Sequence, residues 1–299
     1  MALSARMDGP FRGAEAVASG AVSARQLKTD YIALYPGVYL PCWVELSAVD
    51  RARAAWLWSR REGVVAGLSA SAVLGAKWIE SKVPAELVHV NGRPPHLLVT
   101  RFDMLLPGET QEIDGMSVTT AARTAFDLGR RLPTTVAVQR MDALMKATRL
   151  TAIEVEQLIE AHPGVRGLAA LRRSLPLVDG GAESPYESLT RLMIVRAGLP
   201  APQTQVQVVD EHGFTVAYVD MGWPELRVAV EYDGAQHWTD PRQRRRDIER
   251  YAELERLGWI VIRVSSDMLR TPASVVARVR AALESRSTLR ISARRRRVS

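Results

Sequence analysis

Three carboxylates in the last third of the chain have a spacing that suits a divalent cation. Asp220 closes a strand that starts near Phe214, and Glu231 and Asp233 lie two apart on the next one. Residues two apart on a strand project from the same face, so Glu231 and Asp233 share a side of the sheet and Asp220 can join them at its edge. A hard cation such as Mg²⁺, or Mn²⁺ in its place, takes oxygen ligands and keeps several waters. Asp220 and Glu231, with a phosphate oxygen, would complete its octahedron. Such an ion polarises a phosphodiester and lowers the pKa of a bound water. His237, four residues beyond Asp233, could shuttle the proton near neutral pH, as histidine side chains can. Each residue also has a plainer use, since Asp220 could start a turn and Glu231 could pair with an arginine. Against this, Val228-Ala229-Val230 is an apolar strand flanked by acids, and burying such charges is costly unless something holds them.

The elements that must position these side chains can be drawn from the same stretch. Ser184 caps a helix with Pro185 at its first position, and Gly198 stops it after Ala197. Gln203 to Val209 alternates, Glu211-His212-Gly213 makes a tight turn, Phe214 to Met221 returns, and Leu226 to Tyr232 follows Trp223-Pro224. Turns this short favour an antiparallel meander. Asp240-Pro241 opens a second helix that Gly258 ends after Leu257, Trp259 to Val264 is a strand, and Thr271-Pro272 starts a last helix. The order is αβββαβα. On the second helix, Asp247 and Arg250 stand at i and i+3, the spacing of a surface ion pair. Arg244-Arg245-Arg246 is either a solvated face or a set of phosphate contacts.

Val219-Asp220, Glu231-Tyr232-Asp233-Gly234 with His237, Asp247 and Arg250, Gly258-Trp259 and Ile262-Arg263 together resemble a domain family related to very-short-patch-repair endonucleases. The resemblance spans about a hundred residues and implies a restriction-endonuclease-like fold of the PD-(D/E)-x-K nuclease superfamily. On that superfamily's motif the first acid, second acid and lysine would fall on Asp220, Glu231 and Asp233. The lysine is missing, and no lysine follows Lys146. Repair-endonuclease relatives also dispense with it and use histidine, which makes His237 the natural substitute. Glu187 matches a helix acid of many such nucleases, although Ser184-Pro185-Tyr186-Glu187 is also a capping box.

The front of the chain carries a different pattern. Phe11 to Ala18, a turn at Gly20, a second helix opened by Ser23, and Tyr31 to Leu40 with a Pro36-Gly37 turn read as a winged helix-turn-helix over residues 1–42. Ala24 and Leu27 would face inward. Ser23, Arg25, Gln26 and Lys28 would be the DNA-binding residues, joined by Arg244 and Arg245 further on. A helical subdomain that docks on protein is the plainer alternative. Residues 43–178 read as a mixed α/β scaffold, with a periodic Val44 to Arg61, an alternating Val88 to Thr100, and a helix behind Thr120. Asp103, Asp114, Asp127 and Asp142 read there as solvated or capping, and His89 and His96 lack ligand spacing. Tyr35-Pro36-Gly37-Val38-Tyr39, Ala70 to Trp78 and Thr120 to Leu128 resemble AbiEi-type antitoxin regulators. That resemblance implies DNA binding and autoregulation.

The flexible stretch Val178 to Ala182 separates these parts from a restriction-endonuclease-like domain at 183–286, and 287–299 reads as a basic disordered tail. The fold class is therefore multi-domain α/β. The 299 residues carry a net charge of +7, but Arg290 and Arg294 to Arg297 supply most of it, so charge by itself says little. A single cysteine, Cys42, excludes an intramolecular disulfide or a thiolate zinc cluster. No stretch reads as a signal peptide or a membrane span, so a cytoplasmic location is expected. Three readings follow. The first is a DNA-binding protein with a metal-dependent endonuclease domain. The second is an antitoxin or regulator whose nuclease-like domain is inactive, with a toxin as partner. The third has both domains docking proteins. A homodimer is compatible with each.

Overall fold

In the computed structural model the chain divides into two units, Met1–Val178 and Asp179–Ser299. Residues 7–234 and 241–298 are described, the side chains of 241–244 and 289–298 excepted.

The first unit opens with β1 (Phe11–Arg12), α1 (Gly13–Ala18), α2 (Gln26–Thr29), β2 (Tyr31–Tyr35) and β3 (Val38–Pro41), the strands forming an antiparallel sheet in the order β1-β3-β2. Gly37 turns the hairpin at φ +78°, a left-handed conformation that glycine adopts without strain. The helix expected behind Ser23 is a single turn. Ser23 and Gln26 cap it reciprocally, through Gln26 N to Ser23 Oγ at 3.2 Å and Ser23 N to Gln26 Oε1 at 2.9 Å. Leu27 is half-buried as expected, but Ala24 is exposed, because it precedes the helical turn.

Behind the hairpin come α3 (Ala48–Trp58), β4 (Val64–Val65), α4 (Gly67–Val73), β5 (Ala85–Val88), β6 (Leu98–Arg101), β7 (Thr110–Ile113) and β8 (Met116–Thr119). The five strands make a sheet in the order β6-β5-β4-β8-β7. The alternating run expected over Val88 to Thr100 is divided between β5 and β6, since Pro94 and Pro95 bring no amide hydrogens to a ladder. Tyr35 and Val38 of the hairpin belong to one buried apolar cluster with Ala52 and Ala55 of α3 and Leu87 and Val118 of the sheet. The β2-β3 hairpin thus shares a core with the residues that follow it.

Four helices complete the unit: α5 (Ala121–Arg131), α6 (Thr134–Thr148), α7 (Ala152–Ala161) and α8 (Leu168–Ser174). On α5, Asp127 is fully buried and holds Arg123, Arg130 and Arg131, while Arg130 and Arg131 also reach Asp103. Arg123 bonds Glu109, which also meets His162. Asp103 and Asp127, read from sequence as solvated or capping, are instead members of a paired network, the arrangement that lets charge be buried.

In the second unit the order is α9 (Pro185–Arg196), β9 (Gln203–Val209), β10 (Thr215–Trp223), β11 (Val228–Asp233), α10 (Pro241–Arg256), β12 (Ile260–Ser265) and α11 (Pro272–Val298). This is the αβββαβα succession. β9, β10 and β11 form the antiparallel meander, and β12 adds parallel to β11, giving β12-β11-β10-β9. One face of the sheet, with Met221, Val228, Val230, Ile262 and Val264, packs on Ile194 of α9 and Val275 and Val279 of α11. The other, with Val206, Val208, Ala217, Val219 and Ala229, packs on Leu254 of α10. The backbone of α11 continues through 287–298, where composition suggested disorder; arginine and alanine are good helix formers.

Candidate active site

The acids gather where β10 and β11 part. The ladder between them ends at Met221 opposite Val230, which sets Asp220 and Glu231 facing each other one step beyond it. Asp220 therefore lies inside β10, not at its end as the sequence suggested, because β10 runs on to Trp223, paired with β9 through Gly222 and with β11 through Trp223. In place of the next ladder bond, Tyr232 N donates to Asp220 Oδ2 at 2.7 Å.

Glu187 reaches the same place from the first turn of α9. Tyr186 stacks on Tyr232 with ring centroids 4.7 Å apart and planes 5° from parallel, which fixes the start of α9 beside the end of β11. Ser184 Oγ accepts from Glu187 N at 3.2 Å, and the Glu187 carboxylate accepts from Glu183 N at 2.8 Å, so this buried glutamate helps cap its own helix. The Asp220 carboxyl is pushed up to about 7, first by burial and then by the charge of Glu187, with Glu231 adding to it and the Tyr232 amide and Arg250 opposing.

Glu231 is buried and fully engaged. Arg250 of α10 grips it with both ends of its guanidinium, Nη1 to Oε1 at 2.7 Å and Nη2 to Oε2 at 2.9 Å, and Tyr251 Oη donates to Oε2 at 2.6 Å. Burial works against the Arg250 charge, but the bonds to Glu231 outweigh it and its pKa is raised. The Tyr251 hydroxyl is held protonated, first by burial and then by its bond to Glu231. Asp233, on the same face as Glu231, pairs with Arg263 of β12. Both guanidiniums lie 4.8 Å from the Tyr251 ring centroid, so Glu231 and Asp233 belong to one arginine-tyrosine network.

Residues 194–283, which include this network, match the model of a restriction-endonuclease-like family, REase_MTES_1575. The second unit carries a restriction-endonuclease-like domain. Two relatives from strains of Mycobacterium tuberculosis, both described as uncharacterized proteins, are each 35% identical over 170 residues, covering 56% of this chain and 62% of theirs. The chain thus spans less than two thirds of the length of these relatives. No solved structure matches.

The fold brings Glu187, Asp220, Glu231 and Asp233 to one end of the sheet, whereas His237 lies outside the described residues. That Glu231 could pair with an arginine was readable from sequence, but which arginine, and the Arg263 partner of Asp233, were not. Arg250 stood there as a surface partner of Asp247, yet its guanidinium turns to Glu231. The available signal was a glutamate inside an apolar strand, which needs a cation, in a domain whose basic residues are all arginine. Among the described residues, no set of three or more His, Cys, Asp and Glu side chains forms a ready-made metal cage. Mg²⁺ needs fewer, since one or two carboxylates suffice when water and substrate supply the rest. Asp220 and Glu187 act on each other there, no arginine is bonded to Asp220 among the described residues, and the two acids fit that demand. Glu231 is already offset by Arg250.

Of the expected DNA-binding residues, Arg25 and Lys28 are exposed, while Ser23 and Gln26 are engaged in capping α2. Arg245 is exposed and pairs with Glu249 at 3.0 Å, and the Arg244 side chain lies outside the described set. No helix among the described residues is long and apolar enough to cross a membrane.

Proposed function

We propose that the second unit hydrolyses phosphodiester bonds of duplex DNA with the help of Mg²⁺, for which Mn²⁺ can substitute, and that the first unit holds DNA through a winged helix-turn-helix. The observation that carries the reading is the meeting of Asp220 with Glu187 at a buried end of the sheet, where burial first and the Glu187 charge second hold the Asp220 carboxyl against ionisation. Such repulsion is what a divalent cation relieves. Asp220 and Glu187 would hold the ion, with Glu231 as the third acid within reach. When bound, the ion supplies Lewis-acid polarisation of the phosphodiester and a lowered pKa for its water. The chain's own part is to keep Asp220 oriented through the Tyr232 amide, to hold the Glu231 carboxylate in place through Arg250, and to move a proton at His237. Lys28 on α2 and Arg25 just before it, together with the hairpin turn at Gly37, would meet the DNA backbone.

The test is a supercoiled plasmid incubated with the full chain and Mg²⁺ or Mn²⁺. Nicking or linearisation by the parent, absent in Asp220→Asn, supports the reading. A parent inert with both ions overturns it.

One observation favours a second reading. Glu231 and Asp233 are both neutralised by arginines, which suits an AbiEi-type antitoxin or regulator whose nuclease-like domain binds and does not cut. An inert parent that binds DNA in a salt-sensitive manner, or captures a toxin partner, would support it.

A further inference from the structure

We propose that Arg250 is the resident cation of the acid site, and that a divalent ion gains Glu231 only by displacing Arg250 from it. The proposal rests on the reading above solely for the choice of a divalent metal as the competitor. Glu231 has both oxygens committed, to the two ends of one guanidinium and to the Tyr251 hydroxyl. A carboxylate gripped bidentately makes strong charge-assisted bonds and offers a second cation little. Arg250 is itself anchored further, with Tyr218 O accepting from Nη1 at 3.3 Å, the Tyr251 ring beneath the guanidinium, and Tyr251 Oη 3.1 Å from Nη2. It stands on α10, whereas the acids stand on β10, β11 and α9. Metal entry at Glu231 therefore means that a helix side chain withdraws from a strand acid.

Three carboxylates, Glu187, Asp220 and Glu231, interact across this end of the sheet, and Arg250 is the arginine that acts on both Asp220 and Glu231. Without a metal it offsets part of their repulsion. With a metal bound, its charge would oppose the ion's. One residue thus stabilises the metal-free protein and weakens metal binding, so the domain takes up its ion with a higher Kd than the acids alone would give.

The experiment measures Mn²⁺ and Mg²⁺ binding to the full chain without nucleic acid, by titration calorimetry and by the metal-induced rise in Tm, for the parent, Arg250→Gln and Arg250→Lys. The Gln variant should bind Mn²⁺ about tenfold tighter or more, a gain of about 1.4 kcal/mol per tenfold. Lysine keeps the charge but loses the fork, so Arg250→Lys should also bind tighter, by a smaller factor. A plain removal of positive charge predicts instead that the Lys variant matches the parent, and that result overturns the displacement. So do variants no tighter than the parent, including the case in which none binds. Circular dichroism confirms the fold, and Arg250→Lys carries the test should Arg250→Gln fail to fold. Adding Glu231→Gln to the Arg250→Lys background should cancel the gain, and a gain that persists assigns the effect elsewhere. Tight metal binding by the variants without plasmid cleavage leaves the displacement standing and sinks the nuclease reading alone.

Discussion

Asp220 accepts the Tyr232 amide hydrogen at 2.7 Å, one residue beyond the last paired step between β10 and β11. A side chain thus takes over where the backbone ladder stops. The bond fixes the carboxylate while the surrounding acids and burial work against its charge, and the site's behaviour with pH follows from that opposition.

The contribution of Asp220 to metal-free stability should fall as pH rises from about 4 to about 7. The Asp220 carboxyl is raised from its ordinary 3.8 to about 7 in the folded protein, so between these values the folded state holds a proton that the unfolded state has lost. The favourable contribution is complete below the unfolded value and is lost as pH passes the folded one. Asn at this position has no charge to bury. Urea denaturation should therefore show Asp220→Asn gaining on the parent across this window, by on the order of a few kcal/mol at most. A constant difference from pH 4 to 8 would sink the assignment of the shift to Asp220.

Glu231→Gln should destabilise the fold by about 3 kcal/mol, because the charge of Arg250 then lacks its partner in a half-buried site. Replacing both members, as Glu231→Leu with Arg250→Met, should recover more than half of that loss, since a well-packed apolar pair removes the unpaired charge. Chemical denaturation of the single and double variants measures the coupling. Strictly additive losses would mean that the pair contributes nothing as a pair.

Gly222→Ala should cost about 1–3 kcal/mol through overpacking. A Cβ there would meet Val228 O at 2.6 Å and Ala229 Cα at 3.2 Å, which are backbone atoms of β11 and cannot swing aside. The strands would separate two residues from Asp220, so the substitution should also blunt the pH dependence described above. A variant with parent stability and parent pH dependence would show that β11 yields freely.

Much of the second unit was legible because its signals are local. Ser184-Pro185 and Gly198 mark a helix, the Glu211-His212-Gly213 turn sets a hairpin, and spacing two apart puts Glu231 and Asp233 on one face. The partners of those acids were not legible. Arg250 and Arg263 lie 19 and 30 residues from the glutamate and aspartate they meet, and only the packing of α10 and the parallel pairing of β12 on β11 decides which arginine turns inward. The same holds in the first unit. Thr120 capping α5 was readable, but the burial of Asp127 and of Glu109 against His162 depends on contacts made across the fold. Likewise, local pattern suggested an end near residue 42, whereas Tyr35 and Val38 share their core with α3.

That shared core decides how the DNA-binding reading must be tested. Deleting residues 1–42 would strip Tyr35 and Val38 from the cluster they form with Ala52, Ala55 and Leu87, so lost binding would report lost folding. Charge substitution avoids this. Arg25 and Lys28 are exposed on α2 and on its flank, and replacing them with alanine removes no buried apolar contact. If each side chain neutralises one phosphate, the slope of log affinity against log salt should become shallower by about 0.9 per residue, roughly 1.8 for the double variant on duplex DNA. The measurement belongs in a background where Arg294 to Arg297 are neutralised, because unspecific contacts from that arginine run would mask the change. Affinity should fall to a similar degree on every duplex sequence, since contacts to phosphate carry no base information. An unchanged slope would remove α2 from the DNA interface and leave the arginines of α10, Arg245 among them, as the next residues to substitute.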